Sequence, residues 1–392
     1  MDALGRFYTK DFISNLLVNN LISSSPKKIL DLGIGDASLT IAAYNRWQNA
    51  LFFATEIENH KVIEIENNLT FVKVYNCDSL KPDLSKTLNI RFGSIDVAIC
   101  NPPYISIKDK DQYKKLFRDA ECIELLQLKR LTSEIIFFAH NLTLLKNKGE
   151  LGIIVSDSLV TGKEYSLFRE ILLKRYDLRS IIQLPDKIFS KTEARTHILF
   201  LSKAKSSSNT CSLYYSDLNG KLSNKIDIQK SSLVDRMDYQ FHFYLKTKFV
   251  SSITLKDIDV IIKRGSFTNK ELKNMNVPSF HSNNFNHYDS IITLNEKVNK
   301  KHSIYTAKFG DILLCRVGKR CVGRLAFIKF GSVVISDCVY KISVNKKYQK
   351  VVWDSFTSPE GKDWLCAYAH GVCSQVISKS DLLNFPVFNL KI

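Results

Sequence analysis

The chain has 392 residues, of which 45% are hydrophobic and 24% charged, and its formal net charge is +17 with an isoelectric point near 9.3. This composition is that of a folded globular protein and excludes the disordered and fibrous classes. The length exceeds what one hydrophobic core usually supports, so we expect two domains. The positive charge favours a polyanionic partner, although a generally lysine-rich proteome would give the same value.

The sequence also disfavours membrane-spanning and secreted proteins. No apolar run approaches the roughly 18–20 uncharged residues of a membrane-spanning helix, and the first residues lack the basic and then apolar pattern of a secretory signal. We therefore expect a cytoplasmic protein without a membrane partner. The nine cysteines are odd in number and never spaced as C-x-x-C, which disfavours a disulfide framework and a zinc ribbon, so we expect no metal site.

The amino-terminal half alternates short apolar runs with longer amphipathic stretches, the order typical of a parallel sheet with crossover helices. Helical periodicity extends through residues 106–145. This half is therefore predicted to be a doubly wound α/β domain. The seven predicted strands cover residues 28–32, 50–54, 71–75, 95–100, 151–155, 181–184 and 197–201.

Asp31-Leu32-Gly33-Ile34-Gly35 follows the first predicted strand and precedes a helix expected to open at Ser38. Two glycines allow a tight turn and close approach of the backbone to a ligand. Glu56 closes the second strand, where a carboxylate can accept both hydroxyls of a ribose, and Asp78 follows the third. Ser38 stands where a dinucleotide motif has its third glycine, which favours a nucleoside over a pyrophosphate. Since ligands of open α/β sheets bind at the carboxyl ends of strands, we expect these residues on one rim.

The fourth predicted strand runs into Asn101-Pro102-Pro103-Tyr104. The prolines have no N–H, so main-chain carbonyls and the Asn101 side chain are presented as hydrogen-bond acceptors, and Tyr104 adds an aromatic face. An amino group on a purine or an amide offers two N–H donors and a flat π-system, which these residues match. The tetrapeptide predicts a site for such an amino group; a proline-capped strand end is the structural alternative.

In this order the motifs resemble those of the gamma-class N6-adenine DNA methyltransferases, in which a lid segment precedes the glycine motif. Gly5-Arg6-Phe7-Tyr8-Thr9 is similar to that lid, although Lys10 stands where the family has proline. The resemblance spans residues 5–203. It implies that residues 1–205 form a Rossmann-like methyltransferase domain with S-adenosylmethionine as its cofactor.

The resemblance also implies a role for each matching residue. The methionine part of the cofactor would contact Asp31, Gly33 and Gly35, with Thr9 at the same end. Its ribose would bind Glu56, and its adenine ring would contact Asp78 and Ile57; Asn101 also borders this site. The catalytic set would be Asn101 and Pro102 on the target amino group, the adjoining Pro103, and Tyr104 and Phe189 as aromatic clamps. No strong base is needed before attack, because the nitrogen becomes acidic only as it gains positive charge. His197 lies in a predicted strand and is interpreted as structural.

Composition changes after residue 205. We expect residues 206–235 to be a linker, since only a short strand signal at 212–215 interrupts polar sequence. From 236 to 392, short strands, turns and few long helices predict a smaller, mixed, β-rich domain with Trp353 and Trp364 as packing anchors. Phe309-Gly310-Asp311-Ile312-Leu313-Leu314 and the closing Asp381-Leu382-Leu383-Asn384-Phe385-Pro386 resemble the target-recognition domains of type I restriction-modification specificity subunits.

Two basic segments are candidates for DNA contacts. A basic loop around Gly318 and Gly323 suits contacts to phosphates and guanine edges, with a solvated hairpin tip as the alternative. A second basic stretch follows Tyr104, where alternating charges also fit a solvated helix. The candidate DNA-binding residues are Arg316, Lys319, Arg320 and Arg324 in the loop and Lys114 in the second stretch.

Taken together, the resemblances imply a site-specific adenine-N6 methyltransferase of double-stranded DNA that carries its own recognition domain, as a monomer or homodimer. A restriction endonuclease, where one exists, would be a separate chain. Methylation of a protein glutamine or of an RNA adenine is the first alternative, because both use the same tetrapeptide; the lid and the β-rich tail count against it. A non-catalytic DNA-binding specificity subunit is the second, and the intact Gly33, Glu56, Asn101 and Tyr104 count against that.

Overall fold

The structure is a computed structural model that describes residues 9–185, 188, 195–206, 208–247, 253–275, 277–285, 289–294, 298, 305–318, 321–371 and 374–388. The chain divides into two compact units, Met1–His242 and Phe243–Ile392. Helix α9 (Tyr239–Thr247) contains the boundary. No helix in the described part of the chain combines the length and the apolar character needed to cross a bilayer.

The first unit alternates strands and helices along most of its length, as the sequence predicts. Its helices are α1 (Asp11–Asn19), α2 (Ser38–Arg46), α3 (Asn59–Asn68), α4 (Leu84–Leu88), α5 (Lys114–Asp119), α6 (Ser133–Leu144), α7 (Asp157–Thr161) and α8 (Ser166–Arg175). Its strands are β1 (Lys28–Leu32), β2 (Leu51–Glu56), β3 (Val72–Asn76), β4 (Ile95–Cys100), β5 (Ser106–Ile107), β6 (Leu131–Thr132), β7 (Leu145–Ser156), β8 (Asp177–Gln183), β9 (Thr196–Ser202), β10 (Thr210–Tyr215) and β11 (Ile226–Gln229).

Among the described residues, nine of these strands form one sheet in the order β11-β10-β8-β9-β7-β4-β1-β2-β3. Strands β3, β2, β1, β4 and β7 run parallel, β9 is antiparallel to both of its neighbours, and β11 is antiparallel to β10. The chain moves outward from β1 to β3 and then returns to place β4 on the other side of β1. This reversal leaves a crevice at the carboxyl ends of β1 and β4, where open α/β sheets bind their ligands.

Both faces of the sheet are covered, which explains why its central strands are largely apolar. Leu30 of β1 and Ala98 of β4 face a core formed with α4, α5, α6 and α8. The alternate residues Ile29 and Val97 face a second core formed with α1, α2 and α3. The expected doubly wound α/β architecture is confirmed.

Two sequence expectations for this unit need correction. The expected linker 206–235 contains β10 and β11, which extend the large sheet, and the unit boundary follows His242. The helical periodicity through 106–145 is realised only in part, because the structure has β5, a 3₁₀ turn at Asp111–Tyr113, α5, a 3₁₀ turn at Ile123–Gln127, β6 and α6. Glu121, with φ of +55°, follows the end of α5 and interrupts the helical path.

The second unit is β-rich, as predicted. Its strands are β12 (Val260–Arg264), β13 (Ser279–Phe280), β14 (Asp289–Thr293), β15 (Thr306–Lys308), β16 (Ile312–Cys315), β17 (Val317–Gly318), β18 (Leu325–Phe330), β19 (Ser332–Ile335), β20 (Val339–Val344) and β21 (Gln375–Val376). In the described residues, a five-stranded sheet has the order β12-β20-β16-β18-β14, a three-stranded sheet has the order β13-β19-β15, and β17 pairs with β21. The helices are α10 (Asn269–Asn274), α11 (Lys346–Thr357), α12 (Pro359–Tyr368) and α13 (Lys379–Leu382).

Alternate residues of the five-stranded sheet face two separate cores. Leu314 packs with residues of α11 and α12, including the fully buried Trp364, while Trp353 is partly buried at its margin. Leu313, the next residue toward the amino terminus, faces a smaller core built with β13 and β19. Of the two tryptophans that the sequence predicts to pack in this unit, Trp364 lies within the core, and Trp353 packs against its margin.

Candidate active site

A cleft with about 820 Å³ of empty space lies at the carboxyl ends of β1, β2, β3 and β4. It collects residues from the ends of these four strands and the loops that follow them, from the segment before α1, and from α2 and α6. Of the predicted cofactor residues, it brings together Thr9, Gly33, Gly35, Glu56, Ile57, Asp78 and Asn101. The further lining residues are Ile34, Asp36, Leu39, Cys77, Ser79, Leu80, Pro103, Ile105 and Phe137.

The loop after β1 has the conformation that its glycines permit. Gly33 has φ of +75°, so a side chain there would strain the backbone, although its Cβ would make only an ordinary contact of 3.4 Å with the Phe137 ring. The Gly33 N–H donates to Thr55 Oγ1 at 2.8 Å. Helix α2 begins at Ser38, as predicted, after Ala37 at φ of +63°. The turn is thus tied to the end of the neighbouring strand.

Glu56 connects this loop to the start of α3. Its Oε2 accepts from the Gly35 N–H at 3.2 Å, and its Oε1 accepts from the N–H groups of Ile57 and Glu58, each at 2.9 Å. The side chain is 3% exposed and borders the cleft. A carboxylate held by three backbone donors has a fixed position, which suits recognition of a rigid pair of hydroxyls.

Asp31, the remaining predicted cofactor residue, is not among the residues that line the cleft; it is a buried carboxyl whose hydrogen bonding is incomplete. Its Oδ2 accepts from the Thr40 hydroxyl at 2.7 Å, whereas its buried Oδ1 has no hydrogen-bond partner. Burial raises the pKa of Asp31 to about 7, and the nearby Asp36 and Glu56 carboxylates add to the effect. A buried acceptor without a partner carries a desolvation cost that a cationic or N–H-bearing ligand can remove.

Asp78 and Ile57 provide two different surfaces along the cleft. Asp78 Oδ1 accepts from the Leu80 N–H at 2.8 Å, forming a turn whose Leu80 carbonyl accepts from the Tyr113 hydroxyl at 2.8 Å. Ile57 is 46% exposed, so a large apolar side chain faces the space beside Glu56. A planar ring bearing N–H donors could cover Ile57 and bond to Asp78.

Asn101 is oriented from both ends of its amide. Its Nδ2 donates to Thr9 Oγ1 at 3.0 Å, and its Oδ1 accepts from the Tyr104 hydroxyl at 3.3 Å. Thr9 is 7% exposed, so the last residue of the proposed lid is anchored against the strand end. Burial, followed by the nearby Glu134, raises the pKa of Tyr104 well above its usual value, so the hydroxyl keeps its proton. Pro102 is buried, and Pro103 borders the cleft.

Sequence reasoning missed Ser133, which holds the main chain on both sides of Tyr104. Its hydroxyl donates to the Pro103 carbonyl and accepts from the Ile105 N–H at 3.1 Å, while its own N–H donates to the Ile105 carbonyl at 3.0 Å. Ser133 is fully buried at the first position of α6. A serine 29 residues after Tyr104 has no local pattern that identifies it as part of this turn.

His197 is fully buried within β9 and contacts Asp157 Oδ1 through Nε2 at 2.9 Å. Asp157 Oδ2 also accepts from the Thr161 hydroxyl at 3.0 Å. Neither His197 nor Asp157 lines the cleft described above. The pair joins β9 to α7, which is consistent with the structural interpretation of this histidine.

The predicted DNA-binding residues occupy different environments. Lys114 is exposed on α5. Arg316 Nη1 donates to the Asp337 carbonyl at 3.1 Å, and Arg324 Nη1 donates to the Phe285 carbonyl at 2.8 Å, so both half-buried arginines support the local fold. The predicted Lys319 and Arg320, the clamp Phe189 and lid residues 5–8 lie outside the described residues.

The chain is similar to proteins of restriction and modification. Over 129 residues it is 33% identical to RM.MjaORFECS2P of Methanocaldococcus jannaschii, which bears the name of a type II restriction enzyme and methyltransferase; the match covers 32% of this chain and 10% of that protein. Over 220 residues it is 25% identical to the type I restriction enzyme MpnII methylase subunit of Mycoplasma pneumoniae, covering 51% of this chain and 40% of the subunit. The chain thus spans only a tenth and two fifths of these relatives.

Among solved structures, the type IIG restriction endonuclease BpuSI aligns with a TM-score of 0.48 and 15% identity, covering 97% of this chain and 57% of that one. The sequence profile of the N-6 DNA Methylase family matches residues 2–261. This match covers the whole cleft and well over half of the 392 residues. The chain belongs to the N-6 DNA Methylase family.

Proposed function

We propose that this chain is a site-specific adenine-N6 DNA methyltransferase of the gamma class, which methylates a flipped-out adenine in double-stranded DNA. The observation that carries the proposal is the Asn101 amide, held by Thr9 and Tyr104 at the end of β4 and bordering the cleft. Membership of the N-6 DNA Methylase family supports the same chemistry. The relatives named above favour a role in a restriction-modification system, with a solitary methylase as the other form of the same activity.

The residues of the cleft fit S-adenosylmethionine. The fixed carboxylate of Glu56 suits a ribose diol. Asp31 does not line the cleft, but its unpartnered Oδ1, at the end of β1, suits the ammonium of the methionine part. Exposed Ile57 and the acceptor Asp78 suit an adenine ring. The glycine turn leaves the backbone open to close approach at Gly33. When bound, S-adenosylmethionine supplies the electrophilic methyl group.

The chain's own residues prepare the target nitrogen. The lone pair of an adenine amino group is delocalised into the ring, so attack requires acceptors that draw its two hydrogens out of the ring plane. Asn101 Oδ1 and the Pro102 carbonyl are the acceptors proposed for this role. The Thr9 and Tyr104 contacts fix the Asn101 amide before the base arrives, which lowers the cost of ordering it during reaction. The proton leaves only after the nitrogen has gained positive charge, so a weak acceptor suffices.

Reaching this site requires the adenine to leave the helical stack, at a cost of a few kcal/mol. Tyr104 and Phe189 are proposed to offset that cost by stacking on the base, each contributing about 1–3 kcal/mol. Lys114 is proposed to contact the phosphate backbone from α5, on which it is exposed. The +17 net charge supports a polyanionic partner of this kind.

The second unit is proposed to be the target-recognition domain. Its β-rich architecture and the segments Ile312–Cys315 and Lys379–Leu382 fall where the sequence resemblance to specificity subunits lies. Arg316, Lys319, Arg320 and Arg324 are proposed to supply DNA contacts from one basic segment. The protein would act as a monomer on one short site or as a homodimer on a two-part site, with any restriction endonuclease on another chain.

The test is methyl transfer from labelled S-adenosylmethionine to double-stranded DNA of many sequences, to RNA and to glutamine-bearing protein, offered separately to the full chain. We expect label in DNA alone, confined to adenines of one sequence context. Asn101→Ala should abolish transfer while DNA affinity stays close to that of the unaltered chain. Label found only in RNA or protein would refute the proposal, and unlabelled products together with intact DNA binding would favour a specificity subunit.

A further inference from the structure

A second group of chemically reactive side chains lies in the second unit, where β13 ends beside the turn between β19 and β20. Phe280 pairs with Ile335, and the Ser336 N–H donates to the Phe280 carbonyl at 3.0 Å. His281 and Ser336 therefore leave adjacent strands side by side. The turn is tight, because the Val339 N–H donates to the Ser336 carbonyl at 3.1 Å and the Cys338 N–H contacts Ser336 Oγ at 3.3 Å.

This backbone arrangement brings His281, Asp337 and Cys338 together, with one ligand atom of each lying within 4.8 Å of those of the other two. The Cys338 thiol lies 3.4 Å from Asp337 Oδ1. Two ligands at usual zinc–sulfur and zinc–oxygen distances in a tetrahedral site are separated by roughly 3.6 Å. The carboxylate and the thiol are thus already spaced as neighbouring ligands of one ion.

Each of two ligands also has an outer partner that holds it in place. His281 Nδ1 lies 2.8 Å from the Ser336 hydroxyl, which fixes the imidazole ring. Arg264 lies 3.7 Å from Asp337 Oδ2, the oxygen that does not contact the thiol. Outer contacts of this kind, here a hydrogen bond to His281 and an ion pair to Asp337, orient the ligands of protein metal sites.

We propose that His281, Asp337 and Cys338 form a zinc site with a water molecule as the fourth ligand. Thiolate and imidazole together select zinc over magnesium or calcium, which prefer oxygen ligands alone. Binding releases the Cys338 thiol proton to solvent, and the sulfur lone pair forms the metal bond. The ion would join β13 to the β19–β20 turn, close to Arg316, which bonds to the Asp337 carbonyl. The site is independent of methyl transfer.

The sequence predicts no metal here, because its cysteines lack the spacing of a zinc ribbon. The structure shows why spacing is uninformative for this group: His281 precedes Asp337 by 56 residues, and strand pairing alone makes them neighbours. Asp337 and Cys338 are also adjacent in sequence, a spacing that zinc ribbons do not use.

The test is a titration of the full, chelator-treated chain with Co²⁺, whose spectrum reports thiolate coordination and tetrahedral geometry. One equivalent should produce a thiolate-to-metal charge-transfer band and intense visible bands, and one equivalent of Zn²⁺ should remove both. Cys338→Ser should lose the charge-transfer band. Cys366→Ser, which alters an exposed thiol on α12 of the same unit, is the matched control and should keep it.

Circular dichroism and thermal unfolding without metal should be the same for Cys338→Ser and the unaltered chain, so that a lost band reports lost coordination. Zn²⁺ should raise the melting temperature of the unaltered chain but should not change the melting temperature of Cys338→Ser. An unchanged Co²⁺ spectrum in Cys338→Ser, or the absence of a charge-transfer band in the unaltered chain at tenfold metal excess, would overturn the proposal.

Discussion

Replacing Ser133 by alanine tests whether the turn that carries Tyr104 must be held rigid for methyl transfer. The substitution removes one hydroxyl from the start of α6 and no other heavy atom. Two main-chain groups lose their partner, the Pro103 carbonyl and the Ile105 N–H, which flank Tyr104. The bond from the Ser133 N–H to the Ile105 carbonyl remains, so the helix keeps its attachment to the loop.

The magnitude follows from these two bonds. A neutral hydrogen bond contributes about 0.5–1.5 kcal/mol net, so losing two costs about 1–3 kcal/mol. Ser133 is fully buried, so water is poorly placed to replace its hydroxyl, and we expect a loss within that range. If Tyr104 must be fixed in the transition state, about 1–3 kcal/mol corresponds to roughly a 5- to 150-fold fall in kcat.

The assay is steady-state methyl transfer to DNA, with thermal unfolding measured on the same preparations. The matched control is Thr143→Val, which removes a buried hydroxyl that donates to the His140 carbonyl at 2.8 Å near the other end of α6. Both variants should lose stability, but only Ser133→Ala should lose kcat. Normal kcat in folded Ser133→Ala, or an equal loss in Thr143→Val, would refute the positioning role of Ser133.

Three further outcomes follow from the cleft and its surroundings. Burial raises the pKa of Asp31 to about 7, so its carboxyl becomes protonated in the cofactor-free protein as the pH falls through that value. The affinity for S-adenosylmethionine should therefore rise with pH through about 7. Calorimetry should show that Asp31→Asn loses this pH dependence. Ile57→Ala should weaken cofactor binding several-fold without changing the melting temperature. The control Ile63→Ala alters a similarly exposed residue of α3 that does not line the cleft, and it should change neither the cofactor affinity nor the melting temperature. Equal affinities for the two variants would show that Ile57 does not contact the cofactor. Lys114→Ala should weaken DNA binding and reduce the slope of log affinity against log salt concentration by about 1. The control Lys27→Ala, at an exposed position just before β1, should leave both the affinity and the slope unchanged. Identical slopes for the two variants would exclude the proposed phosphate contact of Lys114.

Strand ends were the most predictable part of this site. Gly33, Glu56, Asp78 and Asn101 each follow or close a strand of the parallel part of the sheet, and parallel strands place such residues on one rim. The sequence order of motifs therefore carries three-dimensional information. Phe137 and Ser133 do not share this property, because each reaches the cleft or its turn from a helix and depends on how that helix docks.

Domain boundaries were less predictable, for a physical reason visible in β10 and β11. These strands lie at one edge of the large sheet, and β10 buries Cys211 and Leu213 while the residues between and beside them are only partly buried. Half-polar edge strands have the composition of a linker when read along the sequence. The helical periodicity of 106–145 is divided among several short segments, whose apolar residues are buried in the same core.

The proposed function of this chain is methylation of adenine N6 in DNA, with Asn101 holding the target amino group. The most direct test incubates double-stranded DNA of mixed sequence with S-adenosylmethionine and the full chain, digests it to nucleosides and identifies the methylated species by mass spectrometry. The unaltered chain should yield N6-methyladenine, and Asn101→Ala should yield none while still binding DNA. Methylation of cytosine in place of adenine, or N6-methyladenine at the normal rate from Asn101→Ala, would contradict the account.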